Sequence, residues 1–146
     1  FLTNEEIKNP QYQKVLNEGT TNVYLNKNVV PRTFFVKKIV SFHTKTEILE
    51  FMLSGNFIAG QNAVVEDYKN NIFSTVGNSQ IEKYSANEVI IRTENLSDGF
   101  LVLTDAYYPI WQVAVDGNPA TIYLTDYALR GLSVPAGEHV VRFFVR

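Results

Sequence analysis

Carboxylates are the residues in this sequence whose number and spacing could support acid–base chemistry. Two Asp or Glu side chains in different environments can act as general acid and general base in glycoside hydrolysis. The candidates are Glu66, Asp67, Asp98, Asp105, Asp116 and Asp126. Asp98 and Asp116 each precede a glycine in a turn pattern, where Asp is favoured for its hydrogen bonds to the backbone. We therefore interpret these two as structural.

Asp105 has a different setting, because it follows the apolar run FLVLT and precedes AYYP. We expect its carboxylate to lie at a partly buried corner and to need a partner. Arg130 is the candidate, since it stands in an otherwise apolar strand and a buried guanidinium is tolerated only when it is paired. We predict an Asp105–Arg130 ion pair that holds the corner. The alternative is that Arg130 binds a carboxylate or phosphate of a ligand.

The aromatic residues around Pro109 could form a sugar-binding surface, because flat rings with polar tips suit the mixed faces of a pyranose. The ligand-binding candidates are Tyr107, Tyr108, Tyr123 and Tyr127. Trp111 alternates in phase with two valines, so we expect it to point into the core. Tyr107 and Tyr108 face opposite ways in an extended chain, so only one of them can join another tyrosine on such a surface. Core packing of these rings is the competing interpretation.

The sequence carries none of the motifs that mark a metal, nucleotide or hydrolase site. HExxH, paired CxxC, GxSxG, the P-loop and GxGxxG are all missing. His43 and His139 are the only histidines, and each lies in a strand-like context where a structural role is typical. We therefore predict no metal and no cofactor in this chain, and no pattern in the sequence points to a Ser-His-Asp triad.

Composition narrows the class of protein and of partner. The chain is 45% hydrophobic, 13% aromatic and 19% charged, which is typical of a folded globular protein. The net charge is −2 and the basic residues form no stripe, so we expect no nucleic-acid partner. The sequence has no cysteine, which excludes disulfides and thiolate metal sites but leaves the compartment open.

Local signals in the N-terminal third predict helices. Residues 1–20 are expected to form a helical lead-in, because Thr3–Glu6 has capping-box spacing and Asn9 before Pro10 matches a second N-cap. A further capping box, TKTE at 44–47, predicts a helix at about 45–54.

From there the hydrophobic period changes to two, which predicts strands. Their sequences are NAVVEDY, QIEKYSAN, EVIIRTEN, FLVLTDA, WQVAV, YALRGLSV and HVVRFFVR. Asp116-Gly117 is a hairpin signal, and residues 69–79 are predicted to be a loop or a weak strand.

This order of elements predicts a mainly β fold, an antiparallel, jelly-roll-like β-sandwich with one to three short helices in the N-terminal third. We expect one domain over 1–146, with the sandwich over 22–146.

The C-terminal third resembles the extracytoplasmic region of the bacterial YfhO-type membrane protein family. The matching pieces are the strand ending in Asp105, the Tyr108-Pro109 and Trp111 corner, Asp116-Gly117, YALRG and VPAGEH. Upstream, NKNVVPRTFFV is similar to the family's segment before its first helix, so the similarity runs from about residue 24 onward. One position departs from the family, because Ile110 stands where glycine is usual and any turn with positive φ would have to be rebuilt.

The resemblance implies an extracytoplasmic domain of a polytopic protein whose membrane core is similar to GT-C glycosyltransferases. Such proteins are implicated in glycosylating cell-envelope polymers, including lipoteichoic acid, and their catalytic carboxylates lie in the membrane core. We therefore expect this chain to be a non-catalytic accessory domain that positions an acceptor or braces the core. We also expect the natural protein to extend past both ends. The alternatives are an autonomous carbohydrate-binding module and a purely structural or protein-interaction domain.

Overall fold

The computed structural model describes residues 2–69 and 77–145, so part of the predicted loop at 69–79 lies outside the described residues. The chain divides into two compact units, Phe1–Val30 and Pro31–Arg146. This division differs from the predicted single domain, and it places the start of the sandwich unit at Pro31 rather than at residue 22. Strands hold 57% of the described residues and helix 7%, which confirms the prediction of a mainly β fold.

The N-terminal unit is a small antiparallel sheet. Its strands are β1 (Leu2–Thr3), β2 (Tyr12–Glu18) and β3 (Thr21–Asn26). The sheet order is β1-β3-β2. The predicted helical lead-in over 1–20 is therefore wrong. Thr3 Oγ1 and Asn9 Oδ1 each accept a hydrogen bond from the backbone N–H two residues later, at 3.1 and 2.9 Å, so the residues that matched helix caps close local turns instead.

The second unit is built from two sheets. Its elements are β4 (Thr33–Phe35), β5 (Lys38–Phe42), α1 (Lys45–Leu53), β6 (Asn62–Glu66), β7 (Gly77–Tyr84), β8 (Glu88–Asn95), β9 (Gly99–Ala106), β10 (Trp111–Val115), β11 (Asn118–Ala120), β12 (Tyr123–Thr125), β13 (Leu129–Val134) and β14 (Gly137–Val145). The six-stranded sheet has the order β4-β9-β13-β12-β6-β5, and the five-stranded sheet has the order β11-β10-β14-β8-β7. The described strand pairs are antiparallel except β5 and β6, which are parallel.

Helix α1 supplies the crossover that a parallel strand pair requires. Its capping box is formed as predicted, since the Thr44 side chain accepts from the N–H of Glu47 and the Glu47 carboxylate accepts from the N–H of Thr44. Gly55, just past the helix end, has φ of 80°, which glycine adopts without strain. The described chain has no helix with the length and hydropathy needed to cross a bilayer.

The main core lies between the two sheets, which confirms the predicted β-sandwich. Strands of both sheets contribute to one buried cluster, made of Val89, Ile91, Leu101, Leu103, Val113, Leu132, Val134, Val141 and Phe143. The alternate residues of β9, Phe100 and Val102, belong to a second cluster with Tyr68. Strand β9 is therefore buried on both faces, and its partner β13 carries Arg130 into the same protected region.

Strand β10 and its hairpin follow the sequence prediction closely. Val113 is buried and Trp111 packs against the main core, so the alternation of β10 is confirmed. Asp116 and Gly117 have φ of 51° and 81°, and they join β10 to β11 in a two-residue hairpin.

Candidate functional site

A tight turn forms the corner between β9 and β10. The N–H of Trp111 donates to the carbonyl of Tyr108 at 3.1 Å, which places Pro109 and Ile110 at the two central positions of the turn. Ile110 is not among the residues with positive φ, so the turn avoids the conformation that would call for glycine. A type I turn accepts proline followed by a β-branched residue, and this resolves how Ile110 can occupy the position.

A cleft of about 410 Å³ opens beside this turn, and we call it the corner cleft. Three segments that are distant in sequence form it: the β7–β8 turn, the end of β9 with the corner turn, and β13. The lining residues are Tyr84, Ser85, Ala86, Val89, Thr104, Asp105, Ala106, Tyr108, Trp111 and Arg130. The volume falls within the range of about 300–1,000 Å³ that is typical of small-molecule sites.

Arg130 is the most deeply buried polar residue of the corner cleft, with 4% of its surface exposed. Its Nε donates to the carbonyl of Ala106 at 2.9 Å, and its Cζ lies 3.9 Å from the ring centroid of Trp111. Nη1 is buried and has no hydrogen-bond partner among the described residues. Burial lowers the pKa of the guanidinium, and the nearby charge of Asp105 partly opposes this effect.

Asp105 is held by partners other than the one predicted. Its Oδ1 accepts from Nη1 of Arg32 at 3.2 Å, and its Oδ2 accepts from the hydroxyl of Tyr84 at 3.0 Å. The guanidinium of Arg32 also lies 4.7 Å from the centre of the Tyr84 ring. Arg32, Tyr84 and Asp105 thus form one network at the rim of the corner cleft.

The predicted Asp105–Arg130 ion pair is therefore not formed, and strand register explains why. A bulge interrupts the pairing of β13 with β9, so that Leu129 lies opposite Ala106 but Arg130 lies opposite Leu103. Asp105 consequently has no partner residue on β13. On the other side of β9, the carbonyl of Arg32 accepts from the N–H of Thr104 at 2.9 Å, which brings the Arg32 side chain to Asp105.

The four predicted ligand-binding tyrosines are distributed over different places. Tyr108 is 60% exposed and lines the corner cleft. Tyr107 lines a different cleft of about 330 Å³, on which Trp111 also borders. Tyr123 packs edge-on against Tyr68 at 5.0 Å in the second core cluster, and Tyr127 lies 45% exposed in the β12–β13 turn. Of the four, only Tyr108 lies with Arg130 in the corner cleft.

Tyr84 and Arg32 are site residues that the sequence argument missed. Tyr84 lies inside the predicted strand QIEKYSAN, and Arg32 lies in the segment NKNVVPRTFFV. Neither position carries a local signal of its own. Arg32 reaches Asp105, 73 residues away in sequence, through the pairing of β4 with β9. Tyr84 reaches it from the other sheet, 21 residues away in sequence.

Both histidines and the carboxylates of Asp67, Asp98 and Asp116 have structural partners. His139 Nδ1 lies 2.6 Å from Asp116, which raises the pKa of the imidazole and lowers that of the carboxyl. His43 pairs in the same way with Asp67 on an exposed surface. Asp98 accepts from the N–H of Ala136 at 3.0 Å. Within residues 2–69 and 77–145, no three metal-ligating side chains cluster together.

Comparisons with known protein families, with characterised proteins and with solved structures found no significant match to this chain.

Proposed function

We propose that this chain is a non-catalytic accessory module on the extracytoplasmic face of the bacterial cell membrane. It belongs, in this proposal, to a polytopic YfhO-type protein whose membrane-embedded core resembles GT-C glycosyltransferases and glycosylates an envelope polymer such as lipoteichoic acid. The module positions the acceptor glycan for that core. Support comes from the sequence resemblance of the C-terminal third and from the composition of the corner cleft.

The observation that carries the glycan-binding part is the combination of exposed rings and unused donors in one cleft. Tyr84 and Tyr108 are 52% and 60% exposed, while Arg130 retains N–H groups without acceptors. Sugar sites combine aromatic faces with a few well-placed polar groups in this way. This arrangement supports positioning of an acceptor in preference to simple bracing of the membrane core.

The carboxylate of the corner cleft supports a binding role over a hydrolytic one. Asp105 is the only carboxylate among the described lining residues, and it is engaged by Arg32 and Tyr84. Glycoside hydrolysis normally uses two carboxylates, one of them free to give or take a proton. Hydrolysis of glycosides by the purified chain, abolished by Asp105→Ala, would overturn this part of the proposal.

Nuclear magnetic resonance titration of the whole chain tests glycan binding. Cellobiose, chitobiose and purified lipoteichoic acid are added to ¹⁵N-labelled protein, and chemical shifts are followed. We expect saturable shifts at Tyr84, Tyr108 and Trp111. Tyr108→Ala should weaken binding, whereas the control Tyr127→Ala removes another exposed ring, outside the cleft, and should leave binding unchanged.

The outcomes of this titration separate the alternatives. Shifts confined to Tyr107 and its neighbours would move the site to the other cleft and contradict our assignment. A complete lack of shifts with all three glycans would favour a structural or protein-interaction domain.

The membrane part of the proposal is tested by the open reading frame that encodes the chain. We expect several apolar spans of about 20 residues, each long enough to cross a bilayer, in the same frame. A frame without such spans would contradict the assignment to a polytopic protein and would favour an autonomous carbohydrate-binding module.

A further inference from the structure

The guanidinium of Arg130 is a buried cation whose hydrogen-bonding capacity is mostly unused. It carries five N–H donors in a planar fork, and Nε to the carbonyl of Ala106 is its only hydrogen bond among the described residues. Nη1 is buried and has no hydrogen-bond partner in the part of the chain that the structure describes. A buried polar group without a partner is uncommon and costly, so it calls for an explanation. A bound acceptor would provide one.

The position of Arg130 leaves its edge, not its face, for that acceptor. The Cζ of Arg130 lies over the Trp111 ring, 3.9 Å from the ring centroid. Where a guanidinium stacks on an aromatic ring, its in-plane N–H groups are left for hydrogen bonding. An oxyanion is the partner that suits this geometry, because its two oxygens accept from two parallel N–H groups.

Charge in and around the corner cleft also favours an anion. The charged lining residues are Asp105 and Arg130, and Asp105 is already paired with Arg32. The three side chains therefore sum to one excess positive charge, in a chain whose net charge is −2. The excess is located on Arg130, for which residues 2–69 and 77–145 provide no ion-pair partner.

The same cleft offers surfaces for the uncharged part of a sugar. Tyr108 is exposed beside the corner turn, and Tyr84 is exposed across from it at the end of β7. The Tyr84 ring is held in place by the hydrogen bond from its hydroxyl to Asp105, and the backbone of Tyr108 is fixed by the turn hydrogen bond from the N–H of Trp111. A ligand bound here can therefore contact an aromatic ring and the guanidinium together.

We propose that the corner cleft binds an acidic saccharide, with Arg130 receiving its carboxylate or phosphate group and Tyr108 and Tyr84 contacting the sugar ring. This inference rests on the proposed glycan-binding function and deepens it by naming the ligand class. The glycan is acidic, and its charged group enters the cleft beside Trp111.

Matched small probes test the inference on the whole chain. Methyl β-glucuronide and methyl β-glucoside differ only in the carboxylate, and glucose 1-phosphate presents a phosphate on a sugar. Inorganic phosphate presents the anion alone. Dissociation constants are measured by chemical-shift titration for the wild type, for Arg130→Met and for Tyr108→Ala.

We expect at least one sugar anion to bind about tenfold more tightly than methyl glucoside, the effect of a charge-assisted hydrogen bond pair. Arg130→Met should abolish that preference, and Tyr108→Ala should weaken charged and neutral sugars by similar factors. Whichever of glucuronide and glucose 1-phosphate binds more tightly identifies the anion as a carboxylate or a phosphate.

Three results would overturn the inference. Equal affinity for the glucuronide, the phosphate and the glucoside would refute the anion site while leaving glycan binding intact. Inorganic phosphate binding as tightly as glucose 1-phosphate would refute the saccharide part. A lack of binding by every probe would refute both this inference and the proposed function.

A second readout covers the case in which Arg130→Met fails to fold. Binding of the acidic sugars by the wild type should weaken as salt rises from about 50 mM to about 500 mM, because salt screens the ion pair. Binding of methyl glucoside should change little over that range. Salt-independent binding of the acidic sugars would count against Arg130 as the anchor.

Discussion

Two side chains of the acidic and basic residue types are buried among the described residues, Arg130 and Asp126, and their hydrogen bonding differs. Asp126 lies in the β12–β13 turn, where its Oδ1 accepts from the N–H of Val64 at 2.7 Å and its own N–H donates to the carbonyl of Val64 at 2.8 Å. The turn thereby pairs with β6 and closes on itself. Arg130 makes one hydrogen bond and keeps Nη1 without an acceptor.

The hydrogen bonding of Asp126 and Arg130 shows how a charged group buried for structural reasons differs from one buried at a binding site. The carboxylate of Asp126 accepts from a buried backbone N–H, a group that needs a hydrogen-bond partner in any folded chain. Its φ of 48°, next to φ of 69° at Tyr127, is the left-handed conformation that Asp tolerates in turns. Arg130 lines the open corner cleft and has N–H donors without acceptors among the described residues. This is what we expect of a residue that binds a ligand.

The largest effect on stability is expected in β13, the strand that carries Arg130 and follows the turn that holds Asp126. Gly131 follows Arg130, and a Cβ there would overlap Thr125, next to Asp126, and the ring of Phe100. We predict that Gly131→Ala lowers the free energy of unfolding by about 3 kcal/mol, the cost of overpacking a tight core. Urea unfolding measures this value. An unchanged midpoint of urea unfolding would show that β12 and β13 pack less tightly around Gly131 than we infer.

Asp126→Asn tests the structural side of the comparison. Burial raises the pKa of the Asp126 carboxyl from its ordinary value of 3.8 to about 6, against the opposing effect of the Val64 N–H. Because the pKa is higher in the folded chain, protonation of Asp126 stabilises the fold, and this stabilisation is fully present below pH 3.8. It is lost as pH rises through about 6. At pH 7 the folded chain carries a buried, poorly solvated carboxylate.

Asn keeps the acceptor for Val64 and tolerates the turn conformation, so Asp126→Asn should stabilise the chain at pH 7 by about 2 kcal/mol. It should change stability little at pH 4. Denaturant unfolding at the two pH values gives the comparison. The control Asp126→Ala removes the acceptor and should destabilise at both. A loss of stability for Asn at pH 7 would show that the charge itself is needed.

Arg130→Met tests the other side and is expected to have a smaller effect on stability. Loss of the Nε hydrogen bond and of the stacking on Trp111 is offset by removal of a buried charge, so the net change should stay within about 1 kcal/mol. Thermal or urea unfolding measures it. A loss above about 3 kcal/mol would place Arg130 with Asp126 as a structural residue.

The smallest effect concerns the exposed pair that replaced the predicted one. A double-mutant cycle of Arg32→Gln and Asp105→Asn should give a coupling free energy of about 0.5 kcal/mol, because the Arg32 side chain is half exposed. A second double-mutant cycle, of Arg130→Met and Asp105→Asn, is the control. Coupling of Asp105 to Arg130 alone would restore the predicted ion pair and weaken the case for a free guanidinium.

Sequence patterns predicted the sandwich well because its strands are specified locally. The alternation of β10, the Asp116-Gly117 hairpin and the Thr44 capping box each depend on neighbours within a few residues. The helical lead-in failed for the same reason, since Thr3 and Asn9 can cap a helix or close a turn with the same side-chain oxygen. Local spacing alone does not choose between these two uses.

The site itself was predicted only in part. Asp105, Tyr108 and Arg130 were singled out because a polar residue in an apolar strand, or a ring beside proline, is visible in the sequence. Their partners were not visible, because a bulge between Leu129 and Arg130 sets the register of β13. Pairing of β4 with β9 brings Arg32 to Asp105 from far away in the chain.

The most direct measurement follows the side-chain N–H signals of Arg130 in ¹⁵N-labelled protein during titration with methyl β-glucuronide and, separately, with methyl β-glucoside. Our account predicts saturable shifts of the Arg130 guanidinium signals with the glucuronide and much smaller shifts with the glucoside. Guanidinium signals that stay unchanged while the glucuronide binds elsewhere would contradict it. Such a result would make Arg130 a buried structural charge, like Asp126.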